Sequence, residues 1–254
     1  MPAPRRPGPQ PPDRPEDRAF LASYDPSAFE RPSVTVDVVL LAPLDGHLHT
    51  LLIRRPGPPF QGAWSLPGGF VRMDESLDAA AARVLRAKTG LERVFLEQLY
   101  TFGTPGRDPR MRIISVAYYA LVDPGRFGEV TVPGEDFLLA RIQPSRAGAA
   151  PVLKGAGSKP LALAFDHAEI LAAALQRIRG KIDYAPIGYE LLPESFTLHQ
   201  LQQVHELVLG RKLNKDSFRR RLLASGQLEA TGAIQQDVDH RPAALYRFRR
   251  GAEG

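Results

Sequence analysis

Two groups of residues in this chain are spaced to do chemistry. The first is a set of arginines in the N-terminal half: Arg54, Arg55, Arg72 and Arg107. A guanidinium is a planar fork of donors that meets a phosphate at two points, so these four are candidates to hold a phosphate-bearing anion. Asp108 stands beside Arg107 as an acceptor for sugar hydroxyls, and Trp64 offers a flat face to a base. A tryptophan beside a strand fills a core equally well, so both readings of Trp64 stand. From residue types alone, the ligand is an anionic, phosphate-bearing small molecule.

The second group is the basic stretch N-K-D-S-F-R-R-R-L-L-A-S, residues 214–225. At about 100° per residue, Phe218, Leu222 and Leu223 form one apolar side. Ser217 and Arg220 lie opposite, Arg221 lies on one flank, and Arg219 lies nearest the apolar side. Arg211 and Lys212 precede this helix, and Arg241, Arg247 and Arg249 follow it. From residue 192 onward there are 10 basic and 7 acidic residues, so most of the chain's net charge of +5 lies in the last quarter. This is the electrostatic footprint of a nucleic-acid contact. Arg211, Lys212, Lys215, Ser217, Arg219, Arg220, Arg221 and Arg241 are the candidates for it.

These side chains need elements to hold them. Residues 33–42 are β-branched and apolar, Asp45-Gly46 signals a hairpin, and residues 48–55 return as a second strand. After Ser76 comes an alanine-rich helix closed by Gly90. Further strands are expected over residues 94–102 and 111–122. Asp166 with Glu169 has the pattern of a capping box that opens another helix. These elements make one α/β domain with a mixed sheet and flanking helices. Thr197 with Gln200 starts a new helix, and the basic helix follows across a tight turn. Two short strands then complete the plan of a winged helix-turn-helix, whose second helix enters the DNA major groove. The expected boundaries are a flexible arm over residues 1–18, a ligand-binding domain over 19–190 and a DNA-binding domain over 191–254. The arm has seven prolines in its first 15 residues. It reads as a disordered terminus or as a basic arm touching phosphates through Arg5, Arg6 or Arg14.

Residues 69–91, G-F-V-R-M-D-E-S-L-D-A-A-A-A-R-V-L-R-A-K-T-G-L, resemble the Nudix box G-x5-E-x7-R-E-U-x-E-E-x-G-U, where U is aliphatic. Gly69, Glu75, Arg83, Leu85, Gly90 and Leu91 fall in register. In that family the glutamates of the box share one helix face and hold Mg²⁺ against a diphosphate. Here Val84, Ala87 and Lys88 stand in their places. Two of these offer no ligand atom. The third is a cation, and at an effective dielectric near 20 unit charges 4 Å apart interact by about 4 kcal/mol. Asp74 and Glu75 alone are a poor substitute, so no catalytic Mg²⁺ and no hydrolysis are expected.

The two halves together resemble the Nudix-related transcriptional regulators of NAD metabolism, the NrtR family. The likeness extends through S-Y-D-P-S-A-F-E-R-P-S-V-T-V-D-V-V, A-F-D-H-A-E-I-L-A-A-A-L, Y-E-L-L-P-E-S-F-T-L and R-P-A-A-L-Y-R-F. It implies a homodimer that binds double-stranded operator DNA, represses NAD-biosynthetic genes and is released by ADP-ribose. Related members regulate pentose use instead. The reading from another class is an ADP-ribose pyrophosphatase whose C-terminal unit dimerises or binds protein.

Composition narrows the rest. The absence of cysteine excludes disulfides, thiolate zinc and a cysteine nucleophile. His47 with His49, and His199 with His205, have no metal-binding spacing and read as surface histidines. No apolar run approaches the ~18 residues of a membrane span, and the N-terminus has no apolar signal core. The expectation is a cytoplasmic protein with no membrane contact.

Overall fold

β1 (Ser33–Leu44) is the spine of the fold in the computed structural model, which describes residues 14–130, 136–143, 151–155, 160–236 and 242–249. Successive side chains of a strand point to opposite faces, and β1 uses both. Val36, Val38, Leu40 and Ala42 enter one core, and Val39 and Leu41 enter the other. β1 pairs in parallel with β6 (Ile113–Leu121) and antiparallel with β2 (His47–Arg54). Asp45 and Gly46 both have positive φ, as a tight hairpin turn requires. The mixed sheet runs β5 (Phe95–Phe102), β6, β1, β2, β7 (Phe137–Gln143), β8 (Val152–Lys154). The short strands β3 (Trp64–Ser65) and β4 (Gly68–Phe70) add to β2 and β1.

Each face of the sheet is covered by helix. On one side α2 (Leu77–Thr89) buries Ala80, Ala81, Val84 and Leu85. Ser76 caps its N-terminus by accepting from Ala79 N–H, and Gly90 ends it in the left-handed region at φ 73°. A short α3 (Pro124–Gly128) contributes Phe127 to the same core. On the other side lies α4 (His167–Lys181), with Ile170, Leu171, Ala174, Leu175 and Ile178 buried. The expected capping box at its start does not form, because the Asp166 carboxylate is taken by Arg107.

A 3-10 turn over Pro186–Leu191 leads into α5 (Leu198–Leu209). Its capping box does form: Thr197 Oγ1 accepts from Gln200 N–H at 3.1 Å and Gln200 Oε1 accepts from Thr197 N–H at 2.8 Å. α6 (Lys215–Ala224) follows, capped by Asn214, and then β9 (Leu228–Ile234) pairs with β10 (Ala244–Phe248). Phe196 exchanges two backbone hydrogen bonds with Tyr246 and extends the wing.

The described residues before Ser33 and those from Ser33 onward form separate compact units. In the first, α1 (Pro15–Ser23) begins inside the stretch expected to be a flexible arm. Proline at its start and Glu16 and Asp17 in its first turn suit a helix N-terminus. Residues 1–13, with Arg5 and Arg6, lie outside the described residues. The second unit spans the boundary expected at residue 190. One apolar cluster runs from Leu52 and Tyr119 of the sheet through α4 to Leu201, Phe218 and Leu222 of the helix-turn-helix. The C-terminal helices therefore share a core with the sheet.

Candidate functional site

β1, β4, α2 and the start of α4 converge on a cleft of about 250 Å³. Its charged lining comprises Arg54, Arg55, Lys88, Arg107 and Arg110 against Asp37 and Asp108. Arg107 lies at the bottom with its side chain 5% exposed. Its Nε and Nη2 donate to the two Asp166 oxygens at 2.7 and 2.5 Å, and Nη2 lies 3.8 Å from Asp37 Oδ2. Asp37 also accepts from the Ser115 hydroxyl at 2.5 Å. Its Oδ1 crowds Gly68 so closely that a Cβ there would fall 2.1 Å away, so only glycine fits. His167 Nδ1 accepts from Leu66 N–H at 2.9 Å, which puts the ring proton on Nε2, 3.7 Å from Asp37 Oδ1. Burial pushes the His167 pKa below the usual imidazole value despite Asp37, so the ring is neutral at pH 7.

The cleft mouth alternates guanidinium groups and rings. Arg55 lies 4.7 Å over Phe165, and Phe60 meets Phe165 edge-on at 4.8 Å. Arg110 lies 6.0 Å over Phe165 and 5.9 Å over Phe70. Arg110 also makes three hydrogen bonds to Asp108, which hold that carboxyl below its usual range. A rim of flat apolar faces beside forked donors suits a planar ring joined to an anion.

The structure thus sorts the expected ligand contacts. Arg54, Arg55, Arg107 and Asp108 meet in the cleft, with Arg107 and Asp108 already engaged by carboxylate and guanidinium partners. Trp64 packs against the sheet's apolar cluster, with Arg54 5.8 Å over its ring, and does not line the cleft. Arg72 is exposed and lies outside the lining. Sequence reasoning missed Asp37, Arg110, Phe165, Asp166 and His167. The one local signal was Asp37, a carboxylate interrupting the apolar run V-T-V-D-V-V, since a buried charge demands a partner.

A divalent cation does not fit the helix that resembles the Nudix box. Glu75 is held by Arg83 through both oxygens, at 2.8 and 2.5 Å, and Arg72 N–H adds a third bond. The Arg83 hydrogen bonds depress the Glu75 pKa to about 2. Val84 is buried in the core, Ala87 carries no ligand, and Lys88 lines the cleft. Among the described residues, no three His, Asp or Glu side chains are placed to share a metal ion.

In the C-terminal half, α6 buries Phe218 and Leu222 and leaves Leu223 52% exposed. The apolar face is narrower than the spacing suggests, because α6 packs through one stripe against α5. Lys215, Ser217, Arg219 and Arg220 are exposed, as is Arg211 before them. Arg221 leans back to pair with Asp183 at 3.4 Å, and Lys212 pairs with Glu206 at 2.7 Å. Arg247 is engaged by Glu229. Arg241 lies outside the described residues.

Two histidines depart from the surface reading. His49 and His205 are 9% and 6% exposed, and desolvation pushes both below the usual imidazole pKa. His49 faces inward from β2, and His205 packs edge-on against Phe218 at 5.0 Å inside the shared core.

Glu206 ties the turn between α5 and α6 together. It accepts from Lys212 Nζ at 2.7 Å, Gln202 Nε2 at 2.9 Å and Leu213 N–H at 3.0 Å. Burial alone would raise its pKa, but these three donors outweigh that and hold it at about 2. A carboxyl depressed in the folded state contributes stability that is present above the unfolded value of 4.5 and lost as pH falls toward 2. Urea unfolding at pH 5 and pH 2.5 should therefore show a smaller stability loss on acidification for Glu206→Gln than for the wild type. Equal losses would remove Glu206 from the acid response.

No described helix is long and apolar enough to cross a membrane. Residues 31–143 match the NUDIX domain family, and residues 188–248 match the NrtR DNA-binding winged helix domain. The chain is 38% identical over 234 residues to the ADPR responsive transcriptional repressor NtrR of Acinetobacter baylyi, covering 91% of this chain and 88% of that protein. It is similar to Shewanella oneidensis NrtR complexed with a 27mer DNA, at 33% identity and a TM-score of 0.69 over 85% of this chain and 93% of that one. A MutT/nudix family protein from Enterococcus faecalis aligns at 26% identity and a TM-score of 0.74 over 92% and 93% of the two chains. With a Nudix fold in front, an NrtR winged helix behind and a relative of this identity spanning both, the chain belongs to the NrtR family of transcriptional regulators.

Proposed function

We propose that the chain is a homodimeric, DNA-binding repressor of NAD-biosynthetic genes, acting in the cytoplasm, whose Nudix domain senses ADP-ribose without hydrolysing it. The observation that carries the reading is α6, which turns Lys215, Ser217 and Arg220 outward, away from the buried Phe218 and Leu222. It does so within the same packed unit as the cation-lined cleft. Similarity to an ADPR responsive repressor over both halves supports ADP-ribose as the effector. Arg55, Arg110 and Phe165 suit its phosphates and base. The engaged Glu75 and the residues at Val84, Ala87 and Lys88 support binding without turnover.

ADP-ribose weakens DNA binding only if it favours one arrangement of the dimer over another. Linkage then makes the effect reciprocal, typically by about 5- to 150-fold. The test is calorimetric titration of ADP-ribose into free protein and into protein saturated with DNA from upstream of its own gene. Weaker binding to the DNA complex, with no AMP released in Mg²⁺ buffer, is expected. Equal affinities would leave two sites and no switch, and metal-dependent AMP release lost in Glu75→Gln would make the protein an enzyme.

A further inference from the structure

We propose that Phe165 is a positioning residue: held in a strained backbone conformation, its ring keeps Arg55 and Arg110 together as a two-armed clamp for a diphosphate. The inference rests on the cleft being the ADP-ribose site and concerns what aims its phosphate donors.

Among the described residues, four non-glycine residues have positive φ, and two of them are aromatic: Phe60 at 60° and Phe165 at 54°. The left-handed region brings Cβ too close to the following carbonyl oxygen, so a bulky residue stays there only where its surroundings over-determine it. These two rings are the ones that meet edge-on at the cleft mouth, 4.8 Å apart. The chain on both sides of Phe165 is pinned. Ala164 N–H donates to the Trp64 carbonyl at 2.8 Å, and Leu66 N–H donates to His167 Nδ1 at 2.9 Å. Between them the Asp166 carboxylate is held by Arg107. Phe165 cannot relax without breaking one of these bonds, so the strain is built into the cleft.

The ring that this conformation presents has cations for neighbours, Arg55 at 4.7 Å and Arg110 at 6.0 Å. Two guanidinium groups this close to one ring repel each other, and the Arg55 pKa falls below its ordinary value, through burial first and Arg110 second. The negative face of the ring offsets that repulsion and gives both groups a common seat. Arg55 Nε is committed to the Pro59 carbonyl, and Arg110 Nε and Nη2 are committed to Asp108. Both Nη groups of Arg55 and Nη1 of Arg110 make no hydrogen bond among the described residues. Those donors can bridge the oxygens of a diphosphate, and the anion between them cancels their repulsion. Arg110 has a second ring, Phe70 at 5.9 Å, and its bonds to Asp108, so Arg55 is the arm that depends more on Phe165.

The experiment is calorimetric titration of ADP-ribose into the full-length protein, for wild type, Phe165→Leu, Phe165→Tyr, Arg55→Met and the double variant Phe165→Leu with Arg55→Met. Phe165→Leu should lose about 10-fold, the scale of a cation–π contact in a desolvated site. Phe165→Tyr keeps the ring and should keep most of the affinity. Arg55→Met should lose about 10- to 100-fold, the scale of a charge-assisted hydrogen bond. In that background Phe165→Leu should cost no more than about threefold, because the ring has lost the arm it aims. A loss of about 10-fold in both backgrounds means that the ring acts on the ligand directly. That result overturns the inference and leaves the ADP-ribose reading intact. A folded Phe165→Leu or Arg55→Met that binds like wild type does the same. No wild-type binding overturns the ADP-ribose reading itself, and this inference with it. Thermal melts test folding and strain together. Phe165→Gly should melt above Phe165→Ala, the reverse of the ordinary order, because only glycine is at ease at positive φ. The ordinary order removes the strain and overturns the inference. Should Phe165→Leu fail to fold, Phe165→Gly replaces it in the titrations.

Discussion

Arg107→Ala is expected to lower the free energy of unfolding by about 3–5 kcal/mol, the scale of breaking a buried ion pair from one side. The side chain is 5% exposed, and its partners Asp166 and Asp37 are 14% and 9% exposed. Removing the guanidinium leaves one carboxylate at the start of α4 and another on β1 without their cation. The larger penalty is this stranded charge, since a lost pair in water is worth about 0–1 kcal/mol. Asp166→Ala combined with Arg107→Ala should therefore cost less than the sum of the single changes. Urea unfolding of the two single variants and the double variant measures the coupling. If Arg107→Ala costs under 1 kcal/mol and the effects add, the guanidinium is not committed to Asp166. It would then be as available to a phosphate as the sequence alone suggests.

That contrast marks what a one-dimensional reading can reach. The helix at residues 77–89 was legible because its cap at Ser76, its alanine run and its stop at Gly90 are local signals. The hairpin at Asp45-Gly46 and the capping box at Thr197 and Gln200 were legible for the same reason. The bottom of the cleft was not. Asp37 meets Ser115 because β1 and β6 pair in parallel, and it meets Gly68 because β4 pairs with β1. Arg107 and Asp166 are 59 residues apart and come together only when α4 docks on the sheet. Asp166 shows the ambiguity most plainly. An aspartate before a helix, with glutamate three residues on, is a cap by pattern, yet a nearby buried guanidinium binds its carboxylate instead. Leu223 failed differently: its spacing is right for a wide apolar face, but only Phe218 and Leu222 have a partner to bury against.

The shared core also governs how a change in α6 spreads. Phe218→Ala removes a ring that is 4% exposed and packs edge-on against His205, and the expected cost is about 3–5 kcal/mol. Were the winged helix an independent bead, that loss would stay within it. The apolar cluster joining Phe218 and Leu222 through α5 and α4 to Tyr119 and Leu52 predicts otherwise. Arg179 of α4 strengthens the junction by donating to the Val208 carbonyl of α5 at 3.0 Å. Trp64, the only tryptophan, packs against the same cluster from the Nudix half and reports on it directly. Urea unfolding of Phe218→Ala should thus shift the Trp64 fluorescence curve and the helical circular dichroism curve together, to the same lower midpoint. An unmoved fluorescence curve beside an early loss of helix would mean that the halves unfold separately. In that case packing through α4 could not carry a signal from the cleft to α6, because a displacement in one half would cost the other nothing.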